Sequence, residues 1–168
     1  LPIRASGWDL RTMGLAFLIP GLAVSYLYQK PHAFGLIQGT QSQALAQLAL
    51  LSNVGYYLMA RWALQMKSPA IYLIAFLVGL DFFFGLFQFA KVSALLPLIV
   101  FFVAFIQVRP SMIKLIGLSG ALLLTYLTIT PMISYSRNVL SQSYGSILVA
   151  SPSERFNIIT TYSKDNAR

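Results

Sequence analysis

The sequence predicts an all-α protein: a polytopic transmembrane helix bundle of about five helices, with a short amphipathic helix or helices in the C-terminal tail. Three observations carry this. Of the 168 residues 57% are hydrophobic and 10% charged, with a mean hydropathy of +0.71, more apolar surface than a water-soluble domain of this size can bury. Long uncharged runs recur along the chain at lengths that suit a membrane-spanning helix. Period-two alternation is absent from those runs, so they do not read as barrel strands.

The runs are residues 12–28, 44–60, 70–90, 92–108 and 113–133, the third interrupted only by Asp81 and the fifth uncharged from Leu115 onward. At ~1.5 Å per residue, 17 to 21 residues reach roughly 25 to 32 Å, close to the ~30 Å of a bilayer's hydrocarbon core. Pro20, Pro97 and Pro131 fall inside or at the ends of these helices and are expected to kink them, Pro131 redirecting the chain as it leaves the fifth. Small residues from Gly117 to Ala121 are expected to let a neighbouring helix approach closely. Residues 29–43 read as the one sizeable loop between helices, with His32 as an ordinary solvated residue. Thr40 and Gln43 stand at capping-box spacing before the second helix. Between the third and fourth helices only residues 89–93 are available, so a tight turn is expected there, with Lys91 at the interface.

Twelve Lys and Arg against four Asp and Glu give a net charge of +8, but the basic residues stand singly at the ends of apolar runs. That pattern excludes the clustered basic stripe of a nucleic-acid-binding surface and fits membrane topology. With alternating helices one side collects Arg4, Arg11, Arg61, Lys67, Arg109 and Lys114, the other Lys30, Lys91 and Arg137 near helix ends. By the positive-inside rule the N-terminus is expected in the cytoplasm and residues 134–168 outside. With no Cys and one His, neither a thiolate metal site nor a histidine cluster is expected, and no cofactor is called for. The chain begins at Leu1 without a cleavable-signal pattern and reads as a segment of a longer protein.

Domain organisation follows: a transmembrane bundle over residues 1–133 and an extracytoplasmic amphipathic tail over 134–168. In the tail, Ser151 suits a helix cap, Pro152 a first helical position, and Glu154 stands three residues beyond the cap, predicting a helix from Ser151 to Tyr162. Phe156, Ile158 and Ile159 would form its apolar face, and Val139, Leu140, Tyr144, Ile147 and Leu148 a second apolar piece.

The candidate chemistry lies in the same tail. Arginine makes paired, charge-assisted hydrogen bonds to phosphate oxygens and keeps its proton, so Arg137 and Arg155 at an outer membrane surface suit a lipid-linked pyrophosphate. Placement at lipid headgroups, or pairing with Glu154 or Asp165, is the bland alternative for Arg137. Glu154 reads as a cap or as a general base. Tyr135, Tyr144 and Tyr162 could stack on sugar rings or serve as interfacial anchors, and Lys164 and Arg168 add positive charge for substrate binding. Asp81, the acid within an apolar run, is read either as a helix-end residue or as a buried intramembrane group, and Asn53 as an interhelical hydrogen-bond partner. No phosphate-cradling glycine loop, zinc motif or serine triad is present.

"FAKVSALLPLIVFFVAFIQVRP", followed by a helix ending in "TPMISYSRN", resembles the middle of the bacterial oligosaccharide repeat-unit polymerases, the Wzy-type family of O-antigen and exopolysaccharide biosynthesis. The resemblance implies an integral glycosyltransferase of the bacterial cytoplasmic (inner) membrane that moves a growing glycan from undecaprenyl pyrophosphate onto a lipid-linked repeat unit, without nucleotide sugar, metal or other cofactor. It further implies that Arg137 and Arg155 contact the pyrophosphate. Members have more than twice as many helices, so the chain would correspond to part of one. Their recurrent spacing of Arg, ten residues and Gly is met by Arg109 and Gly120, not by Arg137 or Arg155. The competing readings are an accessory subunit packing in a larger membrane complex, and a transporter segment using Asp81. The expected partners are the bilayer, a lipid-linked oligosaccharide, and other membrane subunits or further parts of the same chain, with no nucleic acid.

Overall fold

The structure, a computed structural model, describes residues 7–34, 36–37, 42–108, 110–144 and 151–165, and every element in them is helical. The first rod joins α1 (Gly7–Val24), a π-helical turn (Ser25–Gln29) and α2 (Lys30–Ala33). The junction residues Val24 and Lys30 keep helical dihedrals, so the rod continues through both joints. In a regular helix the ring of Pro31 would collide with the carbonyl four residues back, and the widened turn lies directly before it. The helix therefore extends past residue 28 to Ala33 and takes the first five residues of the expected loop with it. His32 is consequently helical and buried at 9% exposure, beside the Tyr28 ring, rather than solvated.

The second predicted helix arrives in two pieces, α3 (Gln43–Ala49) and α4 (Leu51–Gln65), meeting at Leu50. There the ladder tightens, Leu50 N–H bonding the Gln47 carbonyl at 3.0 Å, while Ser52 Oγ donates to the Ala49 carbonyl at 2.7 Å. A serine bonding back in this way bends a helix. The residue before α3 is Ser42, whose N–H is held by the Tyr28 hydroxyl at 2.8 Å; Thr40 lies outside the described residues. Along α1, Gly14 meets Met59, Leu18 meets Gly55 and Gly21 meets Ser52, so α4 runs antiparallel to α1 with the backbones nearly touching. A Cβ on Gly55 would sit 2.5 Å from the Leu18 backbone, and one on Gly21 2.2 Å from the Ser52 nitrogen. Small residues thus do set a close helix pair, but these, not the Gly117–Ala121 stretch: a Cβ on Gly117 or Gly120 would meet nothing within 4 Å.

α5 (Ala70–Phe87) and α6 (Lys91–Val108) form the expected tight hairpin, and α7 (Met112–Tyr144) follows. Phe89 ends α5 with a left-handed φ of 50°, its N–H bonding the Leu86 carbonyl while Ala90 N–H reaches back to Gly85 at 3.2 Å. This is the paired closure that usually takes glycine, made here with a fully buried phenylalanine. The fifth helix does not end near residue 133. It continues through Pro131 for 33 residues, ~50 Å at 1.5 Å per residue, because the residues after Pro131 include no breaker before Gly145 and because Ile133 and Leu140 are buried against the α5–α6 turn and α8. Among the described residues, four helices are long and apolar enough to cross a membrane: Asp9–Ala33, Ala70–Phe87, Lys91–Val108 and Met112–Gln142. The chain is an all-α bundle and, on those helices, an integral membrane protein.

α8 (Pro152–Asp165) begins as expected, with Ser151 N–H bonded to Glu154 Oε2 at 2.7 Å and Pro152 in first position. It packs on the bundle through Ile158 and Ile159, joining one cluster with Phe89, Ile133 and Leu140. Of the second predicted apolar piece, Val139 and Leu140 belong to α7, and Ile147 and Leu148 lie outside the described residues.

Candidate functional site

The end of the bundle where α2 and α5 stop and α6 starts gathers the arginines singled out from sequence. Helix C-termini leave carbonyls without intrahelical donors and carry partial negative charge. Arg155 answers both: Nη1 donates to the Phe87 carbonyl and Nη2 to the Ala33 carbonyl, each at 3.0 Å, so one guanidinium ties the ends of α5 and α2 together. Its plane lies near the Phe34 and Phe89 rings, 5.3 and 5.9 Å from their centroids. The side chain is 1% exposed, and desolvation pulls its pKa below the ordinary arginine value. The inward face of α8 is thus centred on a charged residue, while Phe156, expected on the apolar face with Ile158 and Ile159, is exposed with its ring stacked on Phe87.

Arg137 is arranged differently. It projects from the polar extension of α7, and its Nε donates to the Phe89 carbonyl at 2.8 Å. Its side chain is exposed, and among the described residues no bond engages Nη1 or Nη2. The carbonyl that holds it belongs to the strained, left-handed residue of the α5–α6 turn. Such strain costs on the order of 1–3 kcal/mol and persists where surrounding packing over-determines it.

The remaining tail candidates fall around these two. Glu154 is engaged as a cap, accepting from both the N–H and the hydroxyl of Ser151. Tyr135 packs against Tyr162, centroids 5.3 Å apart, joining α7 to α8. Lys164 is exposed on the last turn of α8. Tyr144 closes α7, but its side chain, like Arg168, lies outside the described part of the structure.

Deeper in the bundle, Asp81 is neither solvated nor at a helix end. Its Oδ1 accepts from the Lys30 ammonium and from the Tyr26 hydroxyl at 2.9 Å, and its Oδ2 from the Tyr56 hydroxyl at 2.7 Å. Lys30 Nζ also lies 3.0 Å from the Tyr26 ring centroid. Both members of the ion pair are 7% exposed. Reading the sequence placed Lys30 among the interfacial charges and passed over Tyr26 and Tyr56. The available signal was the four-residue spacing of Tyr26 and Lys30, which puts both on one helix face. Asn53, one turn before Tyr56 on α4, has its Oδ1 buried without a hydrogen-bond partner. No group of three or more His, Cys, Asp or Glu among the described residues could hold a metal ion. Comparison with protein-family models, with curated proteins and with solved structures finds no match for this chain.

Proposed function

We propose that this chain is part of an integral membrane glycosyltransferase that polymerises or ligates undecaprenyl-pyrophosphate-linked oligosaccharides on the outer face of the bacterial cytoplasmic membrane, with Arg137 as the pyrophosphate ligand. The observation that carries the reading is the posture of Arg137. Its inner nitrogen is tied to the Phe89 carbonyl, so the outer fork is pre-oriented, exposed and free to make two parallel bonds to phosphate oxygens. A departing pyrophosphate accumulates negative charge, and a fixed guanidinium stabilises it without reorganising. The basic asymmetry of the chain supports an orientation with the N-terminus inside and α8 outside, in which α3–α4, antiparallel to α1, returns the chain across the membrane as a fifth crossing beside the four most apolar helices. In this reading Arg155 has no direct contact with substrate and acts by holding the helix ends on which Arg137 leans.

The test compares Arg137→Lys with Arg137→Ala in the full-length protein at equal expression, reading glycan chain length in cells. Lysine keeps the charge but loses the fork, so both variants are expected to shorten or abolish the polymer. Wild-type chain lengths with Arg137→Lys and loss only with Arg137→Ala would reduce Arg137 to a topological anchor.

A further inference from the structure

Towards the end of the bundle away from Arg137, α4 and α6 flank a recess of about 330 Å³ that opens sideways to the bilayer. Its walls include Val54 on α4 and Ile99, Val100 and Val103 on α6, and Val54, Ile99 and Val103 stay 43%, 39% and 40% exposed. In a membrane-spanning bundle that exposure is to hydrocarbon, so an aliphatic chain suits these walls. Polar atoms gather at one end of the recess. The Tyr57 hydroxyl donates to Gln107 Oε1, and Arg61 Nη1 reaches the same hydroxyl at 3.4 Å, a long and weak bond. Among the described residues no other bond engages the Arg61 guanidinium. Arg61 stands one turn before the end of α4 and Gln107 one residue before the end of α6, so this polar end lies at the depth of lipid headgroups.

We infer that the recess binds an anionic phospholipid, with one acyl chain between α4 and α6 and the phosphate on Arg61. The shape of the site matches that molecule: an apolar slot leads to a guanidinium with uncommitted donors, in the order of acyl chain, glycerol and phosphate. Charge then selects the headgroup. Arg11, Arg61, Lys67 and Lys114 stand at this end of the bundle, with Asp9 as its one acid among the described residues. Arg11 lies over the Trp62 ring, 5.4 Å from its centroid, and Lys114 over the Phe105 ring at 5.3 Å, so aromatic faces hold both near the level of Arg61. A zwitterionic headgroup would bring its own ammonium into this basic rim. Phosphatidylglycerol brings only the negative phosphate, and basic pockets between helices at a membrane surface favour such lipids. The site lies at the opposite end of α6 from the turn that holds Arg137, and the inference does not depend on the role of that arginine.

The test is native mass spectrometry of the full-length protein in detergent, titrated with dioleoyl phosphatidylglycerol or dioleoyl phosphatidylcholine. The expected result is one phosphatidylglycerol bound at least ~5-fold more tightly than phosphatidylcholine, the factor that a single basic residue at a membrane surface supplies. Arg61→Gln should remove that preference, while Lys114→Gln, which changes the same charge away from the recess, should leave most of it. Val103→Trp, a substitution on the lipid-facing wall, should fill the slot and weaken both lipids. Equal affinity for the two lipids in the wild-type protein would overturn the proposal. So would equal losses with Arg61→Gln and Lys114→Gln, which would spread the attraction over the whole basic rim, or unchanged binding with Val103→Trp. A lipid-free dimer that Val103→Trp dissociates would give the recess to a second copy, and a lipid-free monomer whose Tm falls with Val103→Trp would give it to a further helix of the chain; either result overturns the lipid site.

Discussion

Arg155 and Arg137 flank the same turn, stand 18 positions apart in sequence and have opposite situations. Arg155 is enclosed, with two nitrogens spent on the carbonyls of Phe87 and Ala33 and two phenylalanine rings beside it. Arg137 is open, committed through Nε alone. A guanidinium satisfied by backbone is a structural clamp, because a phosphate could displace it only by freeing buried carbonyls. One held by a single nitrogen keeps its binding capacity and loses only its freedom to swing. The difference teaches that what separates a ligand-binding arginine from a structural one is how many of its donors the fold has already used.

The comparison can be pushed furthest at Asp81, the most completely enclosed acid among the described residues. Asp81→Ala leaves the Lys30 ammonium buried without its partner, and breaking a buried pair in this way costs ~3–5 kcal/mol. Thermal unfolding in detergent should show a large loss of Tm, and Lys30→Met combined with Asp81→Leu should recover much of it. Next in size is Arg155→Ala, expected to cost ~2–4 kcal/mol as two helix-end carbonyls lose charge-assisted donors and the largest fully buried side chain leaves a void. Arg155→Lys should recover little of that, since one ammonium cannot span both helix ends with the geometry of the fork. Ser151→Ala removes the cap of α8 and should cost ~1 kcal/mol, visible as faster proteolysis of residues 152–165. The smallest effect on stability belongs to Arg137→Ala, below ~1 kcal/mol, since an exposed side chain loses only its one bond to the Phe89 carbonyl. On the proposed function that same variant should cause the largest loss of polymer, and equal destabilisation by Arg137→Ala and Arg155→Ala would erase the distinction between open and closed.

Much of the architecture was legible before any coordinates. Apolar run length located α5 and α6 within a few residues, because a helix that must satisfy its backbone in lipid needs a minimum length and tolerates few charges. The cap of α8 was equally readable, since Ser151, Pro152 and Glu154 act within one turn of chain. What escaped were features that depend on neighbours. Lys30 looked like an interfacial charge until Asp81, 51 positions away, met it inside the bundle. Gly117 and Gly120 looked like packing glycines, yet Gly21 and Gly55 make the close approach, because only the pairing of α1 with α4 decides which small residues face another backbone.

The sequence by itself determined that the chain is helical, apolar enough to live in a bilayer, and divided into rods of membrane-spanning length, because hydrophobicity and local capping act along the chain and need no partner. It also determined which residue types could bind a phosphate. Tertiary structure decided their availability: it enclosed Arg155, left the fork of Arg137 open, drew Asp81 and Lys30 out of contact with solvent, and carried α7 past Pro131 onto α8. The physical reason is that a charged group's role follows from its desolvation and its hydrogen-bond partners, and both come from residues distant in sequence.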